Sequence, residues 1–156
     1  MVIQRWQSVL LLICGVMMGL FTFLSLGQIQ LPNVSLNFTS MGFFIEGIST
    51  DGSADGCYMR TWPLFFLSLM CFILPIINIF LFKNLRLQKK ICVVEALFIV
   101  ALSIVGAIYG YITFQPASVS WSSIVIAPVI AIIADIYSYR LIVSDFNKIR
   151  AIDRIR

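Results

Sequence analysis

Glu95 and Asp135 stand inside long apolar stretches of this 156-residue chain, and their chemistry needs explaining first. A charge at membrane depth is expensive, so an ionisable group there marks an ion pair or a route for protons or ions. Glu95 follows Lys90 by five residues, and Asp135 precedes Arg140 by five. That spacing predicts shallow positions near one surface, in an ion-pair cluster with Lys89, Lys90 or Arg140. The competing reading is an ion pathway that adds Asn78, a polar residue in the same half of its stretch. No further polar residue carries such a relay toward the opposite face.

The rest of the inventory is poor in chemistry. Histidine is absent, which removes Ser-His-Asp and Cys-His catalysis, His-ligated zinc and the usual proton carrier near neutral pH. Cys14, Cys57, Cys71 and Cys92 form no C-x-x-C pair. Three of them fall in or beside apolar runs and read as small hydrophobes; Cys57 alone lies in a polar loop, which excludes a disulfide within that loop. Asp51-Gly52-Ser53-Ala54-Asp55-Gly56 looks like the front of a calcium loop, but the twelfth position is Trp62 where a bidentate Glu is required. It reads as a flexible acidic turn. The sequons at Asn33 and Asn37 matter only in a secretory-pathway host. No cofactor, metal or catalytic set is expected, and the chain reads as a non-enzyme.

The elements that position these residues follow from composition. The chain is 60% hydrophobic and 12% charged, where soluble domains carry about 25% charged residues. With a mean hydropathy of +0.99, disordered, collagen-like and soluble globular classes are all excluded. Crossing a hydrocarbon core about 30 Å thick takes roughly 20 apolar residues in a helix. Four runs satisfy that, at about 8–26, 62–82, 91–114 and 119–139. Continuous apolar runs of this length mean helices and not barrel strands. The expectation is an all-α membrane protein, one integral domain over residues 1–156 built as a four-helix bundle. The first run reads as an uncleaved anchor, since it continues to Leu26 and Gly27-Gln28-Ile29-Gln30 offers no A-x-A-like cleavage site.

Charge then orients the bundle. Ten of the eleven Lys and Arg residues lie in three segments. These are the N-terminal stub with Arg5, the connection with Lys83, Arg86, Lys89 and Lys90, and the tail 140–156 with Arg140, Lys148, Arg150, Arg154 and Arg156. Only Arg60 lies in the outer loop, 28–61, beside Glu46, Asp51 and Asp55. Basic loops stay in the cytoplasm, so both termini are expected inside and the protein in the inner membrane. Lys83, Arg86, Lys89, Lys90, Arg140, Arg150 and Arg154 form a candidate surface for anionic lipid head groups or another protein. Nucleic acid is not expected, because the cations flank apolar runs and do not form a stripe on a soluble face.

Smaller signals concern packing. Gly15-x-x-x-Gly19 and Gly106-x-x-x-Gly110 let helix backbones approach closely, within the chain or in a homo-oligomer. Ala127, Ala131 and Ala134 make a similar small face, and Pro75 and Pro128 are expected to bend the second and fourth spans. Residues 34–39 and 43–45 around Ser40-Met41-Gly42 read as a hairpin or as an irregular apolar cap. In the tail, Ile142, Phe146, Ile149 and Ile152 share one helical face. An amphipathic helix there would lie on the inner leaflet or dock a cytoplasmic partner.

Three ordered motifs carry a resemblance. Ile3-Gln4-Arg5-x-Gln7-Ser8 opens the chain, Phe80-Leu81-Phe82-Lys83-Asn84 continues through Leu87-Gln88 to Cys92, and Arg140, Asp145, Arg150 and Asp153-Arg154-Ile155-Arg156 close it. Together they resemble a family of short four-span membrane proteins from Bacteroidetes classed as a domain of unknown function. Phe146 departs from the pattern, which tends to an acidic residue beside the aspartate. The resemblance implies four helices with both ends inside, and no activity. The function expected is a structural, scaffolding or accessory membrane component. The alternative is a small transporter or channel subunit using Glu95, Asp135 and Asn78.

Overall fold

A helix that is apolar on every side has no stripe to turn toward water. Four helices of this chain are of that kind, and each is long and apolar enough to cross a membrane. The computed structural model describes residues 2–30, 35–46, 56–82, 84–112 and 118–153. The helices are α1 (Val2–Phe23), α2 (Trp62–Phe80), α3 (Leu85–Ala107) and α4 (Ala127–Asp153). They close a ring in which α1 lies between α2 and α4, and α3 between the same two. Their outward faces carry Leu12, Val16, Phe66, Met70, Leu97, Ile104, Val129 and Ile133, all exposed. So much apolar surface is untenable in water and ordinary in lipid.

The chain is not purely α-helical. Strands β1 (Ser25–Gln30), β2 (Ser35–Thr39), β3 (Gly42–Glu46), β4 (Cys57–Arg60) and β5 (Ser118–Trp121) form one antiparallel sheet in the order β4-β3-β2-β1-β5. Of the two readings at Ser40-Met41-Gly42, a hairpin or an irregular cap, the hairpin holds: it is β2–β3, with Phe38 opposite Phe43 and their rings stacked at 4.5 Å. An isolated hairpin is marginal, and this one leans on its neighbours. Leu26, Ile29, Leu36, Phe38 and Phe43 join one core with Met18, Phe21, Leu64 and Leu102 of the helices. The Ser40 hydroxyl donates to the Thr22 carbonyl at 2.6 Å, and the Thr61 hydroxyl donates to the Ser40 carbonyl at 2.9 Å. The hairpin turn is thereby tied to the end of α1 and the start of α2, and the sheet caps the end of the bundle opposite the basic segments.

The sheet moves the helix boundaries. α1 stops at Phe23 because Leu26 belongs to β1. Val119–Trp121, expected to open the fourth span, pairs with β1, and a 3₁₀ turn at Ser123–Ile126 precedes α4. Pro128 is therefore the second residue of α4. There its missing N–H costs nothing, so it starts this helix where a bend was expected; Pro75 remains inside α2.

At the other end α3 begins at Leu85 and draws the basic connection into its first turns, and α4 runs unbroken to Asp153. The tail is thus a continuation of the fourth span and not a separate surface helix. Ile142 is fully buried with Leu11 and Cys92, and Gln7 Nε2 donates to Asp145 Oδ2 at 2.6 Å. At about 1.5 Å per residue α4 is roughly 40 Å long, more than the bilayer core requires.

The glycine faces meet partners within the chain. Gly15 lies by Pro75, Gly19 against Phe72, Gly106 near Leu64, and Gly110 directly under the Trp121 indole. Ala127, Ala131 and Ala134 are buried in the main core. Residues 51–55 of the calcium-like turn, Asn33, Lys83 and Arg154 lie outside the described residues.

Candidate functional site

Each helix turns one narrow stripe inward, at alternating spacings of three and four residues. On α3 the buried positions are Gln88, Cys92, Glu95, Ile99 and Leu102. On α1 they include Gln7, Leu11, Cys14 and Met18; on α2 Leu64, Ser68, Cys71, Pro75 and Asn78; and on α4 Ala131, Ala134, Asp135, Ser138 and Ile142. The stripes place polar groups from all four helices together between the basic end and the apolar core under the sheet.

Glu95 is 0% exposed and Asp135 1%. The Cys14 thiol donates to Glu95 Oε1 at 2.9 Å, across 81 residues of chain, and has Asp135 and Cys71 as close neighbours. Cys92 lies beside the Asp135 carboxyl. Asn78 Nδ2 donates to Cys92 Sγ at 3.2 Å, and Gln88 Nε2 donates to the Asn78 carbonyl at 3.3 Å. Five oxygens of this group are buried with no partner: Glu95 Oε2, Asp135 Oδ1, Asn78 Oδ1, Gln88 Oε1 and Ser138 Oγ.

The expected ion-pair cluster does not form. Among the described residues the ion pair is Lys148 with Asp145 at 4.0 Å, on the tail. The reason is azimuth: residues five apart on a helix point about 140° away from each other. Lys90 and Arg140 are exposed while Glu95 and Asp135 face inward. Depth differs too. Glu95 and Asp135 are well inside α3 and α4, because both helices extend further toward the basic end than expected. Among the described residues no three Cys, Asp or Glu side chains are placed to hold a metal ion. What the arrangement offers is a set of acceptor oxygens and a thiol donor in a buried position.

Sequence reasoning singled out Glu95, Asp135 and Asn78, and the structure gathers all three. It did not find Cys14, Cys92, Gln88 or Ser138 as members. The signal was present: 88, 92 and 95 share a helical face, as do 135 and 138. A Cys14→Ala change leaves Glu95 Oε1 without its thiol donor. We expect it to destabilise the detergent-solubilised protein by about 1–3 kcal/mol, with Cys14→Ser, which restores a donor, closer to the native chain. Equal loss for both variants in thermal unfolding would deny the bond any role.

The basic residues form a second candidate. Arg86, Lys90, Arg140 and Arg150 are exposed, and Lys89 lies over the Phe146 ring at 5.2 Å. That contact joins the first turns of α3 to the last turns of α4, so two basic segments far apart in sequence share one end of the bundle. A family model described as Domain of unknown function (DUF4293) matches residues 3–155. No curated protein matches the chain.

Proposed function

Because the chain belongs to that family of unknown function, its role has to be argued from its own geometry, and we propose a non-enzymatic component of the cytoplasmic membrane. It spans the bilayer four times with both ends inside, and its basic end gathers anionic lipid head groups. The observation that carries this reading is the convergence of Arg86, Lys89 and Lys90 with Arg140, Lys148 and Arg150 at the end opposite the sheet. Tryptophans bracket the apolar zone, with Trp6 at the basic end and Trp62 and Trp121 at the sheet end, which suits two membrane interfaces. Cations near an anionic leaflet contribute about 1 kcal/mol each.

The test uses the protein reconstituted in mixed bilayers with spin-labelled lipids. Anionic lipid is expected to be enriched around the native chain. The enrichment falls stepwise as Arg86 with Lys90, and Arg140 with Arg150, are changed to Gln in pairs. A reporter at the C-terminus checks that both ends stay cytoplasmic. Selectivity unchanged in the four-residue variant would leave these side chains with topology as their sole role.

A transport or channel role is the second reading, supported by the burial of Glu95, Asp135 and Asn78 with no cation paired to them among the described residues. Ile99, Leu102, Met18 and Phe21 occupy the core between this cluster and the sheet. One chain would thus need a partner copy to continue a polar path.

A further inference from the structure

The helices bury two carboxyls, and among the described residues no cation pairs with either. Glu95 Oε2 and Asp135 Oδ1 are unpartnered, as are the side-chain oxygens of Asn78, Gln88 and Ser138 close by. The carboxylate and amide oxygens only accept hydrogen bonds and the Ser138 hydroxyl can serve one of them, so acceptors outnumber the donors at hand. A groove of about 260 Å³ between α3 and α4 reaches it from the side. Its most buried residues are Cys92 and Asp135, each 1% exposed, while Val93, Leu97, Val100 and Ile136 form outward-facing apolar walls.

We propose that this groove binds a lipophilic organic cation, an ammonium head with a short apolar chain. The nitrogen sits against Asp135, and the chain lies along Val93, Leu97 and Ile136. Tyr139, four residues further along α4, also lines the groove and brings an aromatic ring near the charge. Other occupants fit less well. An inorganic ion would shed its water against apolar walls, which is costly. An anionic head group would be repelled by Asp135 and is met instead by the exposed cations Arg86, Lys90, Arg140 and Arg150. A neutral acyl chain would fill the walls and leave the carboxyl unanswered. A soft metal has no set of three ligands among the described residues. This property is separate from head-group contact at the basic end, and its test leaves Arg86, Lys90, Arg140 and Arg150 in place.

The 156-residue chain in neutral detergent is titrated with n-hexylammonium chloride, n-hexanol or sodium chloride while thermal unfolding is followed. Hexylammonium is expected to raise the midpoint by about 3 °C or more at concentrations where hexanol and sodium leave it unchanged. Asp135→Asn removes that shift. Ala96 also lines the groove, and Ala96→Leu, which fills it and spares the carboxyl, removes the shift as well and keeps the test decisive if the first variant fails to fold. A shift equal with hexanol, a shift retained by Ala96→Leu, or a response to sodium alone overturns the proposal.

Discussion

An Ile142→Asp variant is expected to lose about 4 kcal/mol or more of stability, the range reached when an unpaired charge is buried in a packed core. Ile142 is fully buried with Leu11 and Cys92, and Ile79, Leu85 and Tyr139 pack against the same cluster. A carboxylate there would also stand seven residues, two helical turns, from Asp135 on the same face of α4. The result separates two pictures of the tail. A helix lying on the lipid surface would let an aspartate turn into the head-group layer at small cost. A helix docked through Ile142 and the Gln7–Asp145 bond cannot rotate without breaking both contacts. Ile149→Asp serves as the control, since Ile149 is 51% exposed and its change should stay within about 0.5 kcal/mol. Thermal unfolding of the three proteins in one detergent decides the matter. Equal midpoints for the Ile142 and Ile149 variants would detach the tail from the bundle.

How far the molecule can be read from its residues depends on the range of the interaction concerned. The four helices are legible because a lipid-exposed helix needs no pattern beyond length and greasiness. The β2–β3 hairpin is legible because its turn and both strands lie within a dozen residues. β1 and β5 are not. Leu24-Ser25-Leu26 runs straight on from an apolar helix, and Val119–Trp121 looks like the beginning of another. An apolar run of four to six residues fits strand or helix equally well by periodicity. β1 pairs with β2 on one side and with β5 on the other, and β5 owes its strand to β1 alone, with Gly27 opposite Trp121 across more than ninety residues. The site divides in the same way. Glu95 and Asp135 announce themselves by type, but their partners depend on which way each helix is rotated. Nearness in sequence suggested Lys90 and Arg140, and the inward stripe selects Cys14 and Cys92.

The sheet is itself open to a single substitution with a built-in control. A Cβ added at Gly42 would stand 2.5 Å from the Met59 carbonyl oxygen and 3.2 Å from Arg60 Cα. Both are backbone atoms of the neighbouring strand, so no rotamer change relieves the overlap and β3 must part from β4. Further bonds are at stake, because the Thr61 N–H donates to the Met41 carbonyl at 3.1 Å and its hydroxyl donates to Ser40. These hold the start of α2 to the hairpin turn. Gly42→Ala should therefore destabilise by about 2–4 kcal/mol and raise hydrogen exchange through β3, β4 and the first turn of α2. Gly56→Ala, where an added Cβ meets nothing within 4 Å, should leave both measurements near native values. If the two alanines behave alike, the strands are an appendage that the helices can do without. If Gly42→Ala loosens α2 as well, the sheet fixes how the helices enter the membrane, and the four spans depend on pairing outside it.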